Sequence, residues 1–231
     1  IGYLFGQYKK LTNLFTGVLT GKGLTYGGSP VRTQASGYGL VYFVSRMLQA
    51  RGKDWPGLTV VVSGSGNVAI YAVEKAQQLG ARVVAMSDSD GYVVDEKGIN
   101  LATVRRIKEV QRGRMRQYAQ EHASARHQAG WQGIWSVPCD VALPCATQNE
   151  IDGPAAGMLV KNGCLAVGEG ANMPCTPEAV QAFLDAGLSF APAKAANAGG
   201  VATSALEMSQ NSMRMNWTFE EVDSRLRGIM N

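Results

Sequence analysis

Gly64-Ser65-Gly66-Asn67-Val68-Ala69 follows, after Ser63, the β-branched run Leu58-Thr59-Val60-Val61-Val62. The first small residue of such a turn admits a tight bend, and the second lets the main chain approach a bulky anion. The third lets the next helix pack close to the strand. The helix N-terminus adds free N–H groups and the positive end of a dipole, so the pattern suits a pyrophosphate. Asp88 lies 24 residues after Gly64, at the end of the next apolar run, Arg82-Val83-Val84-Ala85-Met86. A carboxylate there can accept hydrogen bonds from ribose hydroxyls, which alone favours NAD, because it repels a 2′-phosphate. Ser87, Ser89 and the basic stretch beginning at Arg105 offset that repulsion. Glycine turns also occur in parallel sheets that bind nothing. Here the strand before and the helix after supply the context of a dinucleotide site.

Other reactive residue types carry less. Cys139, Cys145, Cys164 and Cys175 show no C-x-x-C spacing and have no nearby His, so no metal site is expected. Cys145 sits at a strand end near the expected cleft, but no adjacent base marks it as a nucleophile, and a packing role is expected. His122 and His127 lie in a polar stretch with no second ligand and read as exposed residues without a role. The basic run reads first as a solvated helix face. Trp131 and Trp135 flank a loop for which the sequence offers no function.

The elements that would position these residues alternate. A helical pattern runs over 37–49, strands over 58–62 and 82–86, and a helix between them ends at Gly80, a natural cap. Residues 99–126 read as one basic helix. Strand candidates follow at 137–143, 164–167 and 190–192, and helices at 152–162, 177–186 and 199–215. This is an α/β chain with a Rossmann-like, doubly wound, mostly parallel sheet and helices on both faces. Such sheets bind ligands at the carboxyl ends of their strands. Residues 1–30 read as loops and short pieces leading in from elsewhere, and 31–231 as the dinucleotide-binding domain.

The chain has 231 residues, 45% hydrophobic and 17% charged, which excludes intrinsic disorder. No apolar run reaches the ~18–20 residues of a membrane span. The net charge of +4 is modest, and the basic run lacks interleaved aromatics, so no nucleic-acid partner is expected. The cysteines read as reduced thiols, pointing to a cytoplasmic setting. The opening Ile1-Gly2-Tyr3 has no Met and reads as part of a longer protein.

Five segments carry a resemblance. They are Leu19–Leu24 (LTGKGL), 62–69 (VSGSGNVA), 142–149 (ALPCATQN), 168–174 (GEGANMP) and 194–211 (KAANAGGVATSALEMSQN). Together they resemble the coenzyme domain of the hexameric bacterial-type glutamate dehydrogenases. The resemblance implies reversible oxidative deamination of L-glutamate to 2-oxoglutarate and ammonium, with a hydride passing to or from NADP, NAD being less favoured. The Ser-Asp-Ser-Asp stretch at 87–90 is similar to that of NADP-using members, with Arg105 and Arg106 as partners for the 2′-phosphate. The resemblance also implies that the family's catalytic lysine and aspartate lie upstream of Ile1, so no catalytic residue is assigned here. The isolated chain is expected to be inactive, with further C-terminal helices beyond Asn231 and a homo-hexamer for the whole protein.

By the same resemblance the cofactor-binding positions are Ser36, Gly64, Ser65, Gly66, Asn67, Val68, Asp88, Ser89, Ala146, Thr147, Asn172 and Asn197. Ser36 stands where the family has a threonine at the nicotinamide end. Asn172 and Asn197 are read as strand-end amides. Ser204 matches the serine that helps bind the γ-carboxylate of glutamate, near a helix N-terminus. Lys194 is read as structural. Two alternatives remain: a branched-chain or aromatic amino-acid dehydrogenase, which would need an apolar residue in place of Ser204, and a dinucleotide-binding module without catalysis.

Overall fold

The computed structural model describes residues 1–231. Strands β1 (Thr59–Val62), β2 (Arg82–Asp88), β3 (Gly91–Asp95), β4 (Ala125–Ala129), β5 (Val141–Leu143), β6 (Ala166–Gly168) and β7 (Ser189–Ala191) form one sheet in the order β4-β3-β2-β1-β5-β6-β7. From β2 to β7 the strands are parallel, whereas β3 and β4 are antiparallel additions at one edge. The parallel strands are buried on both faces, as their apolar runs require. Val60, Val62, Val141 and Leu143 face one core, and Val61, Ala142 and Val167 face the other.

Helices α2 (Ala35–Ala50) and α3 (Asn67–Gln78) cover the first face. The second is covered by α6 (Gly153–Lys161), α7 (Pro177–Asp185) and the 3₁₀ turn Trp131–Ser136. Two close contacts set the α2 layer. A Cβ on Gly37 would come within 2.5 Å of Ala72 N, so α2 and α3 touch backbone to backbone there. A Cβ on Gly39 would come within 2.8 Å of Gly199 Cα in α9 (Gly199–Met213). The short α8 (Ala193–Ala196) precedes α9, and α10 (Phe219–Met230) packs on α2 and α9 through Val222, Leu226 and Met230.

The structure departs from the sequence reading in four places. The first residues are not loops: Gly2–Thr12 is a helix, α1. The stretch 99–126 is not one helix but α4 (Leu101–Arg105), a π turn Arg106–Val110, α5 (Arg116–Glu121) and the start of β4. It breaks at Arg112, whose φ of 54° is left-handed. Strand β3 and helix α10 lie outside the elements expected from the sequence. Buried Lys22 reaches Glu207 of α9 at 2.8 Å, with both side chains 0% exposed, and so ties the early segment to the main body.

Candidate functional site

The carboxyl ends of the parallel strands open onto one cleft, and the strand order reverses at β1, where a crevice forms. Three adjoining hollows line it. One, about 380 Å³, lies between Gly64, Gly66, Asp88, Ser89, Trp131 and Thr147. A second, about 500 Å³, lies between Ser65, Gly66, Asn67 and Lys108. A third, about 600 Å³, is bordered by Arg32, Ser36, Val68, Asn172, Asn197 and Ser204. Ala146 and Thr147 border both the first and the third, which makes one continuous groove. The expected positions Ser36, Gly64–Val68, Asp88, Ser89, Ala146, Thr147, Asn172, Asn197 and Ser204 lie along it, and Arg105 and Arg106 do not. A larger groove of about 680 Å³ sits at the opposite ends of β1 and β2, around Thr59 and Arg82, and holds none of them.

The two glycines of the turn differ in cause. Gly64 has φ +82°, and its N–H donates to Ser87 Oγ at 2.8 Å, so the fold itself needs glycine there. Gly66 is extended at φ −86°, ψ −170°, a conformation open to any residue, and a Cβ on it would meet nothing within 4 Å. The chain gives no reason for glycine at 66. The open space it leaves fits a pyrophosphate. Helix α3 begins there without a side-chain cap, leaving the Asn67, Val68 and Ala69 N–H groups ahead of the first intrahelical bond, Ile70 N to Gly66 O. Helices α4, α6, α7 and α10 carry side-chain caps; α2, α3 and α9, which open onto the cleft, carry none, and neither do α1, α5 and α8. Asn67 Nδ2 donates to Thr33 O at 2.7 Å, tying the turn to the start of α2.

The turn after β2 is a hairpin that pairs Asp88 with Gly91 across Ser89 and Asp90. Three cations converge on it. Lys108 Nζ lies 3.1 Å from Asp88, Arg114 donates to Ser89 Oγ at 2.6 Å, and Arg116 lies 3.5 Å from Asp90. Against two carboxylates, the turn keeps one positive charge in surplus. Arg105 and Arg106 are not among these cations, which corrects the sequence expectation. Arg105 pairs with Glu74 at 2.6 Å over the Tyr71 ring, and Arg106 pairs with Glu121. The cause is the way the basic stretch is broken up: Lys108 in the π turn and Arg114 and Arg116 beyond Arg112 reach the hairpin, whereas Arg105 and Arg106 turn to Glu74 and Glu121.

Asp88 is bound up as well. Its oxygens accept from Met115 N at 2.8 Å, Asp90 N at 2.9 Å and Lys108. Burial pushes its carboxyl upward, but the Met115 and Asp90 N–H groups and the Lys108 ammonium outweigh burial and hold it below the ordinary aspartate range. Asp88 borders the groove as the tie that folds residues 108–115 against the hairpin. Its repulsion toward a phosphate is largely cancelled by the ion pair.

At the other end, Ser204 lies in the second turn of α9, not the first, and its hydroxyl donates to Gly200 O at 3.2 Å. Ser36 Oγ faces Gly200, where an added Cβ would come within 2.7 Å. Asn172 lies in the loop after β6. Asn197 caps α8 rather than a strand, and its amide donates to Asn172 Oδ1 at 2.9 Å. Beneath the Ala146–Thr147 floor, buried Glu150 accepts both of their N–H groups, at 3.0 and 3.2 Å. Burial raises its pKa above the ordinary value, although bonds from Ser63, Ala146 and Thr147 draw it back. Burial likewise pushes the Cys145 thiol well up, an inert environment for a nucleophile. His122 stacks on Tyr118 and contacts Thr103 Oγ1 at 3.0 Å. Lys108, Arg114 and Arg32 border or shape the groove without being candidates in the sequence reading, and so does Trp131, for which the sequence offers no role. For Lys108 and Arg114 the only sequence signal was membership of the basic run.

The sequence matches the glutamate/leucine/phenylalanine/valine dehydrogenase profile over residues 27–231. It is 53% identical to the NADP-specific glutamate dehydrogenase of Helicobacter pylori strain J99, aligning over 100% of this chain and 53% of that one. The chain thus spans about half the length of the curated relatives it matches. Among solved structures it resembles Plasmodium falciparum glutamate dehydrogenase, at 48% identity and a TM-score of 0.94, over 99% of this chain and 50% of that one. It also resembles the hetero-hexameric glutamate dehydrogenase of Thermus thermophilus, at 28% identity and a TM-score of 0.87, over 99% and 52%. With the profile running through the glycine turn, the cation-ringed hairpin and α9 alike, the chain belongs to the glutamate/leucine/phenylalanine/valine dehydrogenase family.

Proposed function

We propose that this chain is the coenzyme-binding half of an NADP-dependent glutamate dehydrogenase, which interconverts L-glutamate with 2-oxoglutarate and ammonium. The observation that carries the coenzyme is the hairpin Asp88–Gly91, where Lys108, Arg114 and Arg116 surround Ser89 and leave a surplus positive charge. That surplus favours the 2′-phosphate of NADP over the bare ribose of NAD. Bound NADP supplies the hydride acceptor and donor. The chain's own residues bind and orient. Gly64–Ala69 and the α3 N-terminus take the pyrophosphate, Ser89 and its cations the 2′-phosphate, and Ala146, Thr147, Asn172 and Asn197 border the nicotinamide half of the groove. Ser36 and Ser204 face the substrate side, and the Ser204 hydroxyl supports a γ-carboxylate. Glu150 holds the floor in place through two N–H bonds.

The catalytic proton-transfer groups belong to the rest of the protein, residues 1–30 serve as the lead-in, and this chain alone turns over no glutamate. The whole protein works in the cytoplasm as a homo-hexamer. Leucine, phenylalanine or valine as substrate is the second reading. The polar Ser204 disfavours it, because an apolar side chain offers that hydroxyl no hydrogen bond in return for displacing water from it. In the full-length protein, Ser204→Val should lower glutamate turnover more than norvaline turnover. An equal fall in both would refute the role given to Ser204.

A further inference from the structure

We propose that Trp131 is the platform on which the adenine ring of the coenzyme stacks, and that the chain recognises this base by its face rather than by its edge. The inference rests on the coenzyme reading above. Trp131 borders the hollow of about 380 Å³ together with Gly64, Asp88 and Ser89. This is the end of the groove beside the cationic hairpin, whereas Ser36 and Ser204 line the adjoining hollow. A 2′-phosphate held at Ser89 places its ribose here, and the base on that ribose falls in the same hollow.

Three of the polar side chains around this hollow are already engaged. Ser87 Oγ accepts from Gly64 N, Ser89 Oγ accepts from Arg114, and the Asp88 oxygens take three N–H bonds. Ser65 belongs to the glycine turn and Thr147 to the floor shared with the hollow of Ser36 and Ser204, so at the hairpin end the wall left to face a base is the aromatic one.

Trp131 is held ready for that task. It begins the 3₁₀ turn Trp131–Ser136 after Gly130, whose φ of +81° sets the entry. Ile134 and Trp135 of the same turn are fully buried, and Trp135 Nε1 donates to Glu150 O at 3.1 Å. Gly133 presses on Tyr92, where an added Cβ would come within 2.8 Å of the ring. The turn is therefore fastened to the core while its first residue stays half-exposed. Trp55 and Trp135, by contrast, are 1% and 0% exposed and do serve the core. A rigid indole at a groove wall presents a π face at little entropic cost. Base–aromatic stacking tolerates different bases, because every base has a π face.

The test titrates the chain and its variants with 2′,5′-ADP, the adenine end of NADP without its nicotinamide. Trp131→Ala and Trp131→Leu should each weaken binding about tenfold, as loss of one base–aromatic stack does. Trp131→Phe should stay within about threefold of wild type. The melting temperature of each ligand-free variant should stay near wild type, and 2′-phospho-inosine 5′-phosphate, the hypoxanthine analogue, should bind wild type nearly as well as 2′,5′-ADP. Equal affinity across the three variants overturns the proposal, and so does a loss in Trp131→Phe as large as in Trp131→Ala. A wild-type chain that binds neither 2′,5′-ADP nor NADPH overturns the coenzyme reading and the Trp131 role with it. Wild-type binding with an unaffected Trp131→Ala overturns the Trp131 role alone.

Discussion

Gly66→Ala separates what the fold needs from what the coenzyme needs. The added methyl meets nothing within 4 Å, and the residue's φ of −86° suits alanine. Alanine narrows the unfolded ensemble, a gain of about 0.4–1 kcal/mol. It is a poorer cap than glycine by about the same amount. The two effects nearly cancel, so the melting temperature should move by no more than about 2–4 °C. Binding should change far more. The methyl points into space the pyrophosphate fills, and one extra methyl in a packed contact costs about 1–3 kcal/mol. That is about a 5- to 150-fold weaker Kd for NADPH. Gly64→Ala is the contrast: its φ of +82° and its approach to Ala146 Cα at 3.2 Å strain the fold itself. Thermal melts and NADPH titration of both variants provide the assay. A Gly66→Ala protein that binds NADPH like wild type refutes the placement of the pyrophosphate. One that melts far below wild type refutes the claim that glycine is dispensable to the fold there.

Other perturbations probe the supports of the site. Lys22→Met leaves Glu207 charged and buried with only the Gly21 and Lys22 N–H groups as partners, and should cost about 3 kcal/mol, or about 6–12 °C in a melt. Adding Glu207→Met should recover part of that, and a single-variant loss below about 1 kcal/mol by urea unfolding would contradict the account. Gly199→Ala drives a methyl into the Ala35 carbonyl and toward Gly39 Cα at 3.0 Å, separating α2 from α9. It should destabilise by at least about 2 kcal/mol, and an unchanged melt would show that the helices can give way. Glu150 has a raised pKa, so the stability it contributes is present below the unfolded value near 4.5 and is lost as pH rises through the folded value. Stability measured against pH should therefore show Glu150→Gln gaining on wild type from about pH 4.5 upward. Parallel curves would mean that the group is not perturbed.

The strand–turn–helix–strand unit from β1 to β2 was legible because two physical signals coincide in it. A β-branched apolar run suits a doubly buried strand, and two glycines at this spacing between a strand and a helix supply the context of a dinucleotide turn. Strand β4 gave no such signal. Its Ala-Arg-His-Gln-Ala is an edge strand with little to bury. Helix α1 was hidden for the same reason, since only Phe5 of its residues is buried. Helix α10 did carry a signal, the capping box Thr218-x-x-Glu221 ahead of an amphipathic run. The groove's membership was readable down to Ser36 and Ser204 through resemblance. The cations were not, because which of them reach the hairpin depends on where the chain breaks. The break rests on the left-handed conformation of Arg112, a conformation its residue type does not favour. Trp131 was silent in sequence because its role depends on burial of its neighbours Ile134 and Trp135.

The most direct test of the central claim is titration of this chain with NADPH and NADH at low and high salt, in wild type and in Arg114→Ala. The account predicts tighter NADPH binding that weakens as salt screens the hairpin cations, with Arg114→Ala lowering NADPH affinity and leaving NADH affinity nearly unchanged. NADH binding as tight as NADPH binding, indifferent to salt and to Arg114, would contradict it.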